Sequence, residues 1–467
     1  MKALKLSLVI MAAALVTIGL RGMAFAYHDG GVAECEGCHT MHNSLAGVAM
    51  FGAGFGKTNV NPVTKSVGQG VNYLLKGSDQ SSVCLNCHAG LTAPVTSNTI
   101  QIMSYPIPSG APYGRSPGGD FAWLGKNYST TSTGTYSGTK HGHNIIAADF
   151  GLVEDPILTM APGGNYASAN MYCTSCHNPH SNVRIYSNAP VTFQYPATAI
   201  PASAVSLPIS QSGSYPPTST TGWPPLPGTA EGVYRLLGGQ NYLPMSYKGG
   251  PAFKYDPPVA IAPITWNQSE ASAEVKVAYG YGMSEWCANC HSGIYNNISP
   301  VTSGHFIHPN GYNALLNVPA NVSGTSTTIA AIYNAYRGSG NLTGGQTTSY
   351  TSLVPYEQGG TIGTDLTASG IGGIASSTAP MYSTPGPITT YENVMCLSCH
   401  RAHASGFPQI GRWPFTTEFI TSSGNYPAPT SSNSMSATEF QAAMYDRPAS
   451  DFATFQRSLC NKCHGKD

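Results

Sequence analysis

Charge is what this chain most lacks. Only 9% of its 467 residues are Asp, Glu, Lys or Arg, against about 25% in ordinary globular proteins. The scarcity affects both signs equally, with 21 basic and 21 acidic side chains. No basic stripe is therefore available to hold nucleic acid. Long apolar runs are missing beyond the N-terminal segment, so no later stretch reads as a membrane span. No cysteine stands outside one recurring pattern, and none precedes Cys35. That excludes a disulfide framework and a lipoprotein-type attachment site. A weakly charged surface near neutrality favours association over repulsion, which suits a protein that lives in an assembly.

The N-terminus reads as a targeting segment. Lys2 and Lys5 make a basic start, Leu6 to Leu20 a mostly apolar run, and Ala24-Phe25-Ala26 a small-x-small cleavage site. Cleavage after Ala26 would remove Lys2, Lys5 and Arg21 and no acid, leaving 18 basic and 21 acidic side chains, a formal charge of −3. The expected organisation is a signal peptide, residues 1–26, and one domain, residues 27–467. The expected location is the cell surface or the medium, reached through the periplasm.

What is present in place of disulfides is six copies of Cys-x-x-Cys-His, which use all twelve cysteines. The pairs are Cys35 and Cys38, Cys84 and Cys87, Cys173 and Cys176, Cys287 and Cys290, Cys396 and Cys399, and Cys460 and Cys463. Each is followed directly by a histidine: His39, His88, His177, His291, His400 and His464. Cysteines three apart lie on one side of a helical turn. They can add to the two vinyl groups of one haem, while the next residue is placed to ligate the iron. This is the c-type haem attachment pattern. Zinc would want a second pair of ligands and would not require histidine next in all six cases. The spacing thus predicts six covalently held c-type haems.

The second axial ligand decides the chemistry. An open position lets substrate bind, whereas two strong ligands leave the iron as an electron relay. Eight of the 14 histidines remain after the six units: His28, His42, His141, His143, His180, His305, His308 and His403. Eight exceed the six needed, so bis-histidine ligation is possible throughout; histidine rather than methionine implies low potentials. His42, His180 and His403 each follow a unit's own histidine by three residues, in units one, three and five. Two residues three apart project from the same side of a turn. They cannot comfortably grip opposite faces of one haem, so the second is expected to reach a different one. His28 as a ligand would pin an otherwise loose terminus. His141 and His143 form one pair and His305 and His308 another, each expected to supply one ligand; spacing does not choose between the members.

Successive first cysteines are separated by 49, 89, 114, 109 and 64 residues, and no repeat beyond the units is visible. About 73 residues per haem is too few to wrap each in a core of its own. The expected fold is a multihaem cytochrome c, mostly coil and turns with short α-helices and little β, wrapped around a stacked haem array. Helices are predicted over Thr328–Tyr336 and, from the capping box Ser436-x-x-Glu439, to Tyr445. Ser450 with Asp451 is expected to cap a last helix carrying Cys460 to His464. Ser284 with Glu285 is expected to start the turn carrying Cys287. The stretches 127–139, 201–227 and 359–390 read as loops, and most of the 27 tyrosines as surface residues.

Several blocks carry a resemblance: GGVAECEGCHTMHNSL (30–45), GMSEWCANCH (282–291), CLSCHRAHASGF (396–407) and FQRSLCNKCHGKD (455–467), with APGG (161–164) and CTSCHNPH (173–180). They resemble the hexahaem outer-surface c-type cytochromes of metal-reducing bacteria, which polymerise into extracellular electron-conducting filaments. The resemblance implies identical subunits joined head to tail, with parallel-stacked haem pairs alternating with T-shaped ones. It implies distal ligands at His28, His42, His143, His180, His308 and His403, leaving His141 and His305 surplus. It also implies that His42 crosses to the neighbour and ligates the haem on Cys396 and Cys399. The function so implied is electron transfer to extracellular acceptors such as metal oxides or partner cells. The alternatives are a monomeric periplasmic or surface shuttle and, less well supported, an oxyanion reductase. Reductases of that kind often use a Cys-x-x-Cys-Lys unit, and none occurs here. Purified folded protein should therefore show no ready carbon monoxide binding at any of its six irons, checked by a difference spectrum of the reduced material.

Overall fold

The structure, a computed structural model, describes residues 35–39, 44–45, 48–49, 75–90, 101–130, 134–180, 184–189, 192–197, 237–247, 249–258, 260–261, 269–271, 278–280, 282–296, 307–311, 313–319, 328–336, 354–358, 392–427 and 435–463. The signal segment, His28, His42, His305, His464 and the stretches 201–227 and 359–390 lie outside them.

Among the described residues the helices are short, and four of the six carry all or part of a Cys-x-x-Cys-His unit. They are α1 (Cys35–Cys38), α2 (Gln80–His88), α3 (Met283–Cys287), α4 (Ile329–Tyr336), α5 (Cys396–Cys399) and α6 (Ala437–Ala443). The third unit sits in a 3-10 turn, Cys173–Ser175, and the sixth in another, Leu459–Lys462. One turn suffices to bring two cysteines three apart to one side, so nothing selects for length. The longest, α2, owes its extra turn to Asp79, whose carboxylate accepts from Ser82 N and Ser82 Oγ at 2.8 Å each. That satisfies a donor otherwise orphaned at a helix start. Helix α3 begins at Gly282, whose φ of 116° is open to glycine at little cost.

Strands are mostly pairs of residues. A four-stranded sheet runs in the order Glu392–Asn393, Glu357–Gln358, Ala278–Gly280, Ala260–Ile261, its central pair parallel and its outer pairs antiparallel. The architecture is the expected coil with short helices and little sheet. Three local expectations need correction. Residues 127–139 contain a hairpin, Asn127–Thr130 against Gly134–Ser137, because Tyr128 is buried and anchors the first strand. Ser450 and Asp451 lie inside a separate 3-10 turn ending at Phe452, and Ser458 precedes the turn of the last unit. Ser284 and Glu285 fall inside the first turn of α3 rather than ahead of it.

An apolar cluster fills the middle of the described chain, built on Trp123, Phe407, Trp413, Phe440, Met444 and Leu85. Among the described residues seven tyrosines are buried, including Tyr128, Tyr242, Tyr333 and Tyr445. The buried carboxylate of Asp120 ties the cluster to its loops, accepting from Ser104 N (2.9 Å), Ser104 Oγ (2.6 Å), Gly114 N (2.9 Å) and Ala122 N (2.8 Å). Helix α6 packs Phe440 into the cluster and opens with the predicted box: Glu439 N donates to Ser436 Oγ at 3.2 Å and Ser436 N to Glu439 Oε2 at 3.0 Å. Replacing Ser436 by Ala should cost about 1 kcal/mol of stability, read as a lowered denaturation midpoint with unchanged denaturant slope.

Candidate haem sites

The attachment units fall into two local designs. In units one, three and five, the carbonyl of the second cysteine accepts from a distant backbone N–H: Lys76 to Cys38 (2.9 Å), Gly238 to Cys176 (2.8 Å) and Arg412 to Cys399 (2.8 Å). A bridge at the next residue, the histidine, completes each: His39 with Leu75, His177 with Leu237, His400 with Gly411. Units two and four lean on their successors. Ser81 and Ser284, each three residues before a first cysteine, accept from Cys173 N (3.0 Å) and Cys396 N (3.1 Å) through their hydroxyls. The receiving units answer with a serine between their cysteines: Ser175 Oγ takes Tyr172 N at 2.9 Å and Ser398 Oγ takes Met395 N at 3.1 Å. The paired serines were missed in the sequence, although Ser-x-x-Cys ahead of units two and four was visible there.

Histidines from different units face one another. His39 and His180 have ring centroids 6.1 Å apart, His177 and His403 6.2 Å, and His143 and His291 6.0 Å. Two metal–imidazole bonds of about 2.0–2.1 Å and two ring radii of about 1.1 Å place trans imidazoles roughly 6.3 Å apart. The three centroid separations lie close to that distance. Pairs are also the right donor set for a porphyrin, which fills the other four positions itself. Among the described residues no three His, Cys, Asp or Glu converge as a protein-only metal site would require.

Several of the rings turn Nδ1 to a backbone carbonyl. Carbonyls accept only, so a ring nitrogen bonded to one must carry the proton, leaving the other lone pair free. Nδ1 of His143 meets Ala402 O at 2.7 Å, that of His291 meets Pro162 O at 2.9 Å, and that of His400 meets Gln409 O at 2.7 Å. His308 does the same with Pro309 O at 2.8 Å. Desolvation keeps the imidazoles neutral, the form a metal takes. It lowers His143 to about 4 and His403 to about 3, and lowers His180, His291 and His400 as well. His141 behaves differently from His143. Its ring lies flat on Tyr128 at 3.9 Å and 7°, buried in the core, with Nδ1 3.2 Å from Ser405 O.

The units follow one another in space as they do in sequence. Cys38 lies within electrostatic reach of Cys87, Cys176 of Cys290, and Cys399 of Cys460 and Cys463. Cys84 lies beside Cys173, and Cys287 beside Cys396. All twelve sulfurs are free of disulfides. Burial raises the thiols of Cys38, Cys176, Cys290 and Cys399, the last two to about 12. Cys173 and Cys396 shift the other way, lowered first by the neighbouring thiols of Cys84 and Cys287.

The APGG segment supports unit four. A Cβ on Gly164 would sit 1.7 Å from Cys290 O, and Gly163, at φ 66°, aims its own carbonyl at Gly293 N, 2.5 Å away. Pro162 O then reaches His291. The loop after unit five is held as closely: His403 N donates to Gly118 O (2.7 Å), His143 N to His403 O (2.9 Å) and Ser405 N to His141 O (2.8 Å).

No family model matches the chain. It is 42% identical to the C-type cytochrome OmcS of Geobacter sulfurreducens over 481 aligned residues, covering all of both chains. Among solved structures it resembles the OmcS nanowires of Geobacter sulfurreducens seen by cryo-EM, at 40% identity and a TM-score of 0.71. A second structure, the outer membrane cytochrome S filament of the same organism, gives 38% and 0.69. In both, 94% of this chain covers 100% of the other. Replacing Gly164 by Ala should force the APGG backbone away from Cys290. The expected outcome is a fall of more than about 1 kcal/mol in unfolding free energy, measured by denaturant titration.

Proposed function

The chain belongs to the same family as the cytochrome OmcS, and from that premise we propose that it is the repeating subunit of an extracellular filament that conducts electrons. It carries multiple c-type haems, works at the cell surface or beyond, and is an electron carrier rather than an enzyme. Bound haems supply reversible one-electron chemistry between ferric and ferrous iron. The residues of the chain fix where those irons stand and close them to other ligands.

Our assignment is six haems on the six cysteine pairs, each iron between two imidazoles, in one domain of residues 27–467 left by removal of residues 1–26. The observation that carries it is the three facing pairs, His39 with His180, His177 with His403, and His143 with His291. They obey a rule. The histidine three residues after unit three serves unit one, and that after unit five serves unit three. The histidine serving unit four comes from the stretch between units two and three. Extending the rule, His308, between units four and five, serves His464. His28, ahead of unit one, serves His88. Within these 467 residues the rule leaves unit five without a server and His42 without a unit to serve. Both vacancies close when His42 of one subunit ligates the haem on Cys396 and Cys399 of the next.

The facing of His143 with His291 supports His143 over His141, and the choice of His308 over His305 follows the resemblance at HPNG. The other partners are the redox proteins or minerals at either end of the filament, with no nucleic acid and no span of the membrane. Among the described residues no helix is long and apolar enough for one.

The test is His42→Ala. Filaments seen by electron microscopy should be lost while six haems remain attached by mass and haem stain. Intact filaments from that variant would remove the ligand assignment. A persistent single-subunit species from the unaltered protein would favour the shuttle instead.

A further inference from the structure

Units three and five are built alike, and one difference between them is electrical. In unit three, the hydroxyl of Tyr242 donates to Thr174 O (2.6 Å) and His177 O (3.0 Å). In unit five, the same two carbonyl positions, Leu397 O (2.5 Å) and His400 O (3.1 Å), are held by Nε of Arg412. The residue after the unit's histidine also changes, from Asn178 to Arg401. A neutral clamp has become a cationic one. Burial raises the Tyr242 hydroxyl above its ordinary range, so it stays uncharged.

The cations around unit five are deeply buried. Arg401, Arg412 and Arg447 are 2%, 0% and 4% exposed. Arg401 and Arg412 share one carboxylate oxygen, Oε2 of Glu270, Arg412 at 3.1 Å. Arg447 lies near enough to feel both Glu270 and Arg401. Arg401 further stacks its guanidinium 3.5 Å over the Tyr445 ring, and its Nε and Nη2 make no hydrogen bond. Tyr445 and Asp446 adopt left-handed φ of 58° and 60° to turn the chain there, and Asp446 pairs with a fourth arginine, Arg115, at 2.7 Å. Away from water, such charges act on their surroundings with little screening.

Resting on the haem reading above, we propose that Arg412, with Arg401 and Arg447 behind it, raises the reduction potential of the haem on Cys396 and Cys399 above that of the haem on Cys173 and Cys176. Positive charge beneath an iron favours its ferrous state, which carries one positive charge fewer. Arg412 is the direct agent because its guanidinium touches the carbonyl of His400 itself. Arg412 is thus a positioning residue for the electron, setting where along the array it prefers to rest.

The experiment is a spectropotentiometric titration of the secreted protein, with six attached haems verified by pyridine haemochrome. Arg412→Gln keeps a donor and removes the charge. About one sixth of the absorbance change should move to lower potential, by about tenfold in the equilibrium constant, or 59 mV for one electron. Arg412→Lys should restore most of the original curve. Arg401→Gln, which leaves both carbonyl contacts of Arg412 in place, should give a shift of the same sign should the first variant not be secreted. A curve unmoved in a variant retaining six haems would overturn the proposal, as would an equal fall in Arg412→Lys. Absence of haem from the unaltered protein would instead overturn the reading beneath it.

Discussion

The proposed arrangement depends on imidazole facing imidazole, with ring centroids 6.0 to 6.2 Å apart, at a separation suited to one iron. Each facing pair joins residues far apart in sequence, His39 with His180, His177 with His403, His143 with His291. The strands are two to six residues long and the helices at most nine. Conformational entropy charges roughly 1–2 kcal/mol per ordered residue, and a chain this rich in glycine, with 53 among its 467 residues, starts from an especially large ensemble. Regular secondary structure contributes little to offset that. Covalent attachment and axial ligation at six points would supply the missing constraint, as metal binding does in other small-core folds.

Around those pairs the protein arranges hydrogen bonds that fix orientation rather than add bulk stability. Carbonyls of Ala402, Pro162 and Gln409 hold Nδ1 of His143, His291 and His400. Each of these carbonyls belongs to a segment held against another unit or its flanking loop. Pro162 is in the glycine-rich loop pressed on Cys290, Ala402 is in the loop that also presents His403, and Gln409 is beside Arg412. One loop therefore both holds the His143 ring and presents His403. The arginine cluster below His400 adds a second level, since it acts on energy rather than geometry.

Much of this was legible in the sequence, and the reasons differ by feature. The cofactor could be read because its chemistry demands a contiguous five-residue unit. The reach of His180 and His403 to other units could be read because two residues three apart cannot flank one iron. The capping box at Ser436 was local and correct. Tertiary contacts decided the rest. The hairpin at 127–139 forms because Tyr128 finds the core, although its composition is that of a loop. The equivalence of units three and five was hidden because Tyr242 lies 65 residues past His177 and Arg412 only 12 past His400. Side chains of different chemistry, at unrelated spacings, arrive at the same two carbonyls.

The skipping pattern of ligation bears on how such a chain could grow. In the proposed scheme units three and five lend their trailing histidines to the odd-numbered unit before them, and units two and four each lend a serine to the odd one that follows. Duplicating a single unit would break both loans at once, stranding an imidazole on one side and a backbone amide on the other. Inserting an even unit together with the odd one after it leaves every loan intact. A longer or shorter version of this protein, whether reached by natural duplication or by deliberate engineering, should gain or lose its cofactors two at a time.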